Sequence, residues 1–297
     1  MAQAATTGTR SAVGSRSVVE TPVVRAALAF AFFLAIATAF GFMVLPVVAI
    51  FVHVPPSTMF HEFSNKIVTD ALIVSAKTIV ESMVVIVAFG TPTAYFLASR
   101  RFPGRTILVT LSELPIVLPP AVAGIGLIVA FGRFGLLGST FSWLGIDVAF
   151  NQTAVVFAIS LVAGPFFVRQ GIAAFEAVDL NLVSASRTLG AGPFRTFFKV
   201  TLPLTRGGLG AGFAICMARG LGEFGATIMF AGSFEGTTQT LPLAIYTQFE
   251  GNFDVAIAIS ALLIVISLAI LLSLKIGALW QPSKRRSASL FARFGSS

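Results

Sequence analysis

The groups whose chemistry most needs explaining are ionisable side chains lying inside long apolar runs. Lys77 and Glu81 are four residues apart, as are Arg219 and Glu223, each pair set in a stretch otherwise free of charge. Four residues is about one helical turn, so each pair can close an ion pair on a single helix face. A charge in mid-bilayer costs about 2.5–3.5 kcal/mol on insertion scales, so each needs a reason to be there. Two reasons stay open for these pairs: structural ion pairs that let the helices insert, or a gating role. Glu113 has no local partner and lies near the end of a third apolar run, where its carboxylate can reach water.

Other reactive groups are few. His53 and His61 are too few for a metal site, and the single cysteine, Cys216, excludes an intrachain disulfide and a thiolate cluster. Paired carboxylates, metal-ligand spacings and a nucleophile elbow are all missing from the sequence, so neither an enzyme nor a bound cofactor is expected. Gly207-Gly-Leu-Gly-Ala-Gly212 and Gly220-Leu-Gly-Glu-Phe-Gly225 have the look of nucleotide loops, but both lie in an apolar run, where glycines serve close helix packing. No lysine in the chain follows a glycine, so there is no Walker A loop, and energy for any driven process must come from a partner chain.

The elements that carry these residues are membrane helices. The chain has 297 residues, of which 56% are hydrophobic and 11% charged. Average globular proteins carry roughly 25% charge, so a soluble enzyme, a disordered protein and a nucleic-acid module are excluded despite a net charge of +8. A mean hydropathy of +0.92 agrees. A bilayer core needs about 20 apolar helical residues to cross it. Six spans are expected: 26–52, kinked at Pro46, then 71–98, 106–131, 153–168, 207–231 and 255–274. The fold class is therefore an all-α integral membrane protein with six transmembrane helices. Residues 1–22, rich in Ser, Thr and Ala, read as a disordered tail and not as a cleaved signal peptide, and 281–297 as a basic tail.

Lysine and arginine give the orientation. With a cytoplasmic N-terminus, sixteen of the twenty fall on the cytoplasmic side, Lys66 and Arg133 on the other, and Lys77 and Arg219 within spans. Both termini are thus expected in the cytoplasm. Tyr95, Trp143, Tyr246 and Trp280 fall near span ends, where amphipathic rings suit the headgroup layer.

Two segments suggest a mechanism. Between the fourth and fifth spans, Asp179 or Asn181 can cap a short helix with an apolar face of Leu182, Ala185 and Leu189, ended by Gly190 in the left-handed region. A second amphipathic piece, Phe194 to Val200, leads to Leu202-Pro203. The residues alone leave two readings of this helical loop: a docking surface, or a helix lying on lipid headgroups. In the third span, Pro115, Pro119 and Pro120 interrupt the helix, and a restart after Pro120 would leave free amides near Val122, Ala123 and Gly124. Such amides can bind an anion without a basic side chain; the alternative is a plain proline kink with glycine packing.

The docking-loop segment resembles the signature of type-1 ABC importer permeases: Glu-Ala-Ala, three residues, Gly, nine residues, Ile-x-Leu-Pro. Ser184-Ala185-Ser186 sits where Glu-Ala-Ala belongs, Gly190 follows at the right interval, and Val200-Thr201-Leu202-Pro203 closes the pattern. Ser184 replaces the acidic residue and Ser186 an alanine. Arg101-Phe-Pro-Gly-Arg105, Leu114-Pro-Ile-Val-Leu-Pro-Pro-Ala-Val-Ala-Gly124 and Arg219-Gly-Leu-Gly-Glu-Phe-Gly-Ala-Thr227 resemble permeases for tetrahedral oxyanions: sulfate, thiosulfate, molybdate and tungstate. The run through Thr238-Gln-Thr-Leu-Pro242 is closer to the molybdate group. The resemblance covers about residues 70–273, a transmembrane type-1 domain preceded by the first helix.

The resemblance implies a membrane-spanning permease subunit in the cell (inner) membrane, with a cytoplasmic coupling helix made by Ser184, Ala185, Ser186, Leu189 and Gly190. It implies as partners cytoplasmic ATPase subunits, an extracytoplasmic oxyanion-binding protein, the lipid bilayer and a second copy of the chain, and no nucleic acid. The translocation path is expected near Val122, Ala123, Gly124, Arg219 and Glu223. A sulfate or thiosulfate permease is the nearest alternative. A proton-coupled carrier using Glu81, Glu113 and Glu223 is a more distant one.

Overall fold

The computed structural model describes residues 22–53, 62, 64–145 and 148–279, with side chains specified as far as 273. The tail expected before Pro22, His61, Trp280 and the basic tail over 281–297 lie outside the described residues. Two compact units divide the chain, residues 1–53 and 54–297. The first contains α1 (Pro22–His53), 32 residues long, which runs through Pro46 as one helix.

The second unit is built around α6 (Gln152–Glu176), with α2 (Lys66–Ser99) and α9 (Leu202–Leu221) packed along it. Asparagine starts both α2 and α6. Asn65 Oδ1 accepts from Ile67 N at 3.1 Å, and Asn151 Oδ1 from Ala154 N at 3.1 Å, each satisfying an amide that the first turn leaves free. The buried face of α2 follows helical spacing through Val68, Ala71, Val74, Ser75, Thr78, Ile79, Ser82, Met83 and Ile86. Small residues bring the helices close. A Cβ at Gly208 would lie 2.4 Å from Ala174 Cβ, and one at Gly171 2.8 Å from Ala94 Cβ.

Among the described residues five helices are long and apolar enough to cross a membrane, and a bent pair taken as one span makes six. Helix α3 (Arg105–Val117) and α4 (Pro120–Phe131) meet at 114°, so the third span is two half-helices and not one kinked helix. The cause is local. Pro119 and Pro120 both lack an N–H, and each proline drives the preceding residue out of helical geometry, so Leu118 (ψ 134°) and Pro119 (ψ 133°) are extended. Pro115, isolated, stays within α3.

Two further boundaries differ from expectation. The fourth span does not stop at Arg169 but continues to Glu176, because a charge at a span's end needs only water or a partner and not a helix terminus. The fifth begins well before Gly207. The stretch α8 (Pro193–Thr196), one turn of π-helix (Phe197–Thr201) and α9 form a continuous 29-residue element, Pro193–Leu221. The π-turn, with Leu202 N donating to Phe197 O, comes directly before Pro203, whose missing N–H interrupts the usual ladder. The element ends at Leu221 rather than at Ala231, and a separate α10 (Gly225–Ala231) follows. Further described helices are α5 (Gly138–Trp143) after α4, α11 (Leu241–Gly251), and the last span, α12 (Phe253–Leu279). A short α7 (Leu180–Thr188) joins α6 to α8.

The α6–α9 contact predicts a contrast between two neighbouring glycines. Gly208→Ala should destabilise the protein by about 1–3 kcal/mol through overpacking against Ala174. Gly210→Ala, which meets nothing within 4 Å, should not. Thermal unfolding of the two detergent-solubilised variants checks this, and equal melting midpoints would contradict the packing described.

Candidate functional site

Helix α7 is built as its sequence requires. Asp179 Oδ1 accepts from Asn181 N at 2.9 Å, which fixes the cap on Asp179 of the two candidates. At the other end Leu189 N donates to Ala185 O, Gly190 N to Arg187 O, and Gly190 takes φ 85°. The left-handed turn makes glycine the fitting residue there, since nothing lies within 4 Å of an added Cβ and only backbone conformation is at stake. The apolar face is not buried in the fold: Leu180 is 76% and Leu189 88% exposed, and Leu182 and Ala185 are exposed too.

Ser184 is exposed, and its carbonyl accepts from Thr188 Oγ1 at 3.1 Å. Ser186, half-buried, faces the next element, its Oγ 3.0 Å from Thr196 Oγ1. This bond ties α7 to the base of the long α8–α9 element. Thr196 is itself buried, next to an aromatic cluster in which the Tyr95 ring lies 5.3 Å from Phe175 and 4.7 Å from Phe197. Tyr95, expected at a headgroup edge, is thus half-buried between α2, α6 and the π-turn.

The charged residues expected to pair along single helices behave differently from one another. Arg219 Nη2 and Glu223 Oε2 are 2.8 Å apart, but across a break: α9 has ended at Leu221, and Glu223 belongs to the link before α10. Glu223 Oε1 accepts from Ala226 N at 2.8 Å, so one buried carboxylate closes the ion pair and caps the first turn of α10. No ion pair joins Lys77 to Glu81 among the described residues. Lysine preceding glutamate is the weaker order on a helix, and here no second bond holds the carboxylate in place.

Glu113 does have a partner, in Arg169 of α6 (Nε to Oε1, 3.5 Å). A second pair, Arg105 of α3 with Glu176 of α6, lies two helical turns away with the signs reversed, and Arg105 Nε also donates to Leu97 O at 2.6 Å. Neither cross-helix pair was visible in the sequence. The one available signal was the matched spacing, eight residues on α3 against seven on α6, which becomes readable once the helices are known to lie antiparallel.

The half-helices α4 and α10 pack against each other at their starts. A Cβ at Gly124 would lie 2.6 Å from Met229 Cβ and 2.8 Å from Ala226 O, and one at Gly225 2.5 Å from Pro120 Cβ. The amides expected to be free are only partly so. Ala123 N donates to Pro119 O at 3.1 Å, and Gly124 N falls in the helical ladder, which leaves the amides of Ala121 and Val122 without an intrahelical partner. Ala123 and Gly124 are buried, and Val122 is exposed. The glycine runs pack as expected at Gly208, Gly212, Gly220 and Gly225, while Gly210 and Gly222 meet nothing within 4 Å.

Apolar helices of bilayer length, one of them a bent pair of half-helices, and a capped helix presenting leucines outward define a multi-pass membrane protein. Residues 90–281 match the family described as binding-protein-dependent transport system inner membrane component. The chain belongs to that family and is an inner-membrane permease. It is 42% identical over 235 residues, 78% of its own length and 88% of the relative's, to the molybdenum transport system permease protein ModB of Mycobacterium bovis. It is 41% identical over 182 residues, 61% and 80% of the two lengths, to the protein of the same name from Escherichia coli K12. Its fold is similar to a chain of a bacterial alginate ABC transporter crystallised with an alginate-pentasaccharide-bound periplasmic protein, at a TM-score of 0.65 and 17% identity, covering 85% of this chain and 94% of that one.

The double duty of Glu223 predicts a graded response. Glu223→Gln keeps an acceptor for Ala226 N and loses only the charge, whereas Glu223→Ala loses both bonds and leaves Arg219 without its partner. The alanine variant should lose about 1–3 kcal/mol, the cost of the buried bonds it removes, and the glutamine variant clearly less, as read from thermal unfolding of the purified protein.

Proposed function

We propose that this chain is the membrane-spanning subunit of an ATP-binding-cassette importer that carries molybdate into the cytoplasm. The observation that carries the reading is the 42% identity to a molybdenum transport permease across 88% of that relative. The Thr238-Gln-Thr-Leu-Pro242 run agrees with it. ATP hydrolysis belongs to partner ATPase chains, and the anion is delivered by an extracytoplasmic binding protein. The chain works as a homodimer, with both termini and α7 in the cytoplasm, an orientation supported by the distribution of lysine and arginine.

Helix α7 is the surface on which the ATPase docks. Leu180, Leu182 and Leu189 give it apolar area that the fold leaves exposed, which suits a protein partner. When ATP draws the ATPases together, displacement of α7 passes through the Ser186–Thr196 bond into α8, the π-turn and α9. In the last turn of that element Arg219 pairs with Glu223, which caps the start of α10, and α10 in turn packs on α4. The paired bundles thereby alternate between inward- and outward-facing states.

A doubly charged oxyanion cannot enter hydrocarbon, where desolvating a single charge alone costs on the order of tens of kcal/mol. A path beside the start of α4 meets that requirement through the amides of Ala121 and Val122, with Ala123 and Gly124 holding α4 in place and Arg219–Glu223 fixing its neighbour α10. A proton-coupled carrier is less well supported, because arginines engage two of the three carboxylates it would use, Glu113 and Glu223.

Two experiments test the reading. Uptake of labelled molybdate by membrane vesicles holding the whole transporter should resist excess sulfate; strong competition by sulfate would reassign the anion. Gly190→Val forces a β-branched residue into left-handed geometry, which costs about 1–2 kcal/mol at that turn. The variant should insert normally and lose most ATP-driven uptake, and full uptake would remove α7 from the coupling path.

A further inference from the structure

A small cavity of about 10 Å³ lies between α2, the end of α9 and the start of α11. Ser75, Thr78, Glu223 and Thr240 supply its polar lining, and Ile79 and Ile159 part of its apolar wall. All four polar residues are more than nine-tenths buried. Thr240 is 4% exposed, and its Oγ1 has no hydrogen-bond partner in the protein. A buried hydroxyl left in that condition destabilises the fold, so a native structure normally supplies a partner.

The neighbouring groups define what that partner is. Ser75 Oγ accepts from Leu241 N at 2.8 Å and has its own hydrogen to give. Thr78 Oγ1 donates to Val74 O at 2.7 Å and so faces the cavity as an acceptor. Each oxygen of Glu223 carries one bond, to Ala226 N or to Arg219, and a carboxylate oxygen can accept two. The cavity therefore offers donors from Thr240 and Ser75 and acceptors from Thr78 and Glu223. A volume of about 10–15 Å³ on this measure holds one water, and a water needs two to four polar partners. A cation fits less well, since Arg219 already balances the single carboxylate.

We infer that one ordered water molecule occupies this cavity, accepting from Thr240 Oγ1 and donating to Glu223 and Thr78 Oγ1. It ties the α9–α10 break to α2 and the start of α11, two elements that Ser75 Oγ and Leu241 N already join here. Thr240 thereby becomes a positioning residue for the carboxylate that caps α10, which assigns a physical role to the second threonine of the Thr-Gln-Thr-Leu-Pro run. The inference rests on packing and hydrogen bonding alone and stands whichever anion is carried.

A high-resolution structure of the full chain in a lipid nanodisc tests it directly. The expected result is a density peak within hydrogen-bond distance of both Thr240 Oγ1 and Glu223, kept in Thr240→Ser and lost in Thr240→Val. An empty cavity in the unmodified protein overturns the inference, as does a peak that depends on sodium in the buffer. A second measurement covers the case in which the valine variant folds poorly. Thr240→Val should lower the melting midpoint by roughly 2–4 °C, with Thr240→Ser close to the parent; serine and valine variants that melt together would likewise overturn it.

Discussion

Hydrocarbon offers no hydrogen bonds, so each backbone break and each charge inside the membrane must find its partner within the protein. The third span is broken at Pro119-Pro120 and a second break follows the fifth span at Gly222–Phe224, and the structure meets that requirement differently at each. At Pro119-Pro120 the proline pair removes two of the four donors that a helix start frees, which leaves the amides of Ala121 and Val122 without an intrahelical partner. At Gly222–Phe224 one buried carboxylate does the work, with Glu223 capping α10 through Ala226 N while it pairs with Arg219. The two restarted half-helices then pack glycine against backbone, so each break supports the other.

The same requirement accounts for four further charges, though not for Lys77 and Glu81 on α2, which stay apart. Arg105, Glu113, Arg169 and Glu176 form two ion pairs of opposite sense between α3 and α6. Half-exposed pairs of this kind contribute little to stability by themselves. Their alternation of sign does select one register and one relative direction for the two helices, since a shift by two turns would set like charges together. The half-span α3 is thereby held to α6, while its continuation α4 is held to α10, and the 114° bend is the geometry that permits both.

The long element from Pro193 to Leu221 connects the exposed leucines of α7 with the Glu223 node. It is stiff over most of its length and irregular at one place, the π-turn before Pro203, where aromatic rings from α2 and α6 pack around it. A lever with a single irregular turn near its base suits a part that passes displacement from a docking surface into a bundle. In the proposed importer that is its task.

Much of this was legible in the sequence for a simple reason: bilayer insertion is dictated by composition over windows of about 20 residues, and composition is local. The all-helical membrane fold, the six spans, the capped helix ending at Gly190 and the family signature all follow from nearby residues. What depended on distant residues was not legible. An i,i+4 spacing could not tell that Lys77 and Glu81 stay apart while Arg219 and Glu223 close across a helix break, because the deciding bond comes from Ala226 N. Glu113 looked unpartnered because Arg169 is 56 residues away, and Pro119-Pro120 announced an interruption without fixing its angle, which is set by where α3 and α4 find packing partners. Local propensity thus determined which elements exist, and tertiary contact alone decided where they break, how they bend and which charges meet.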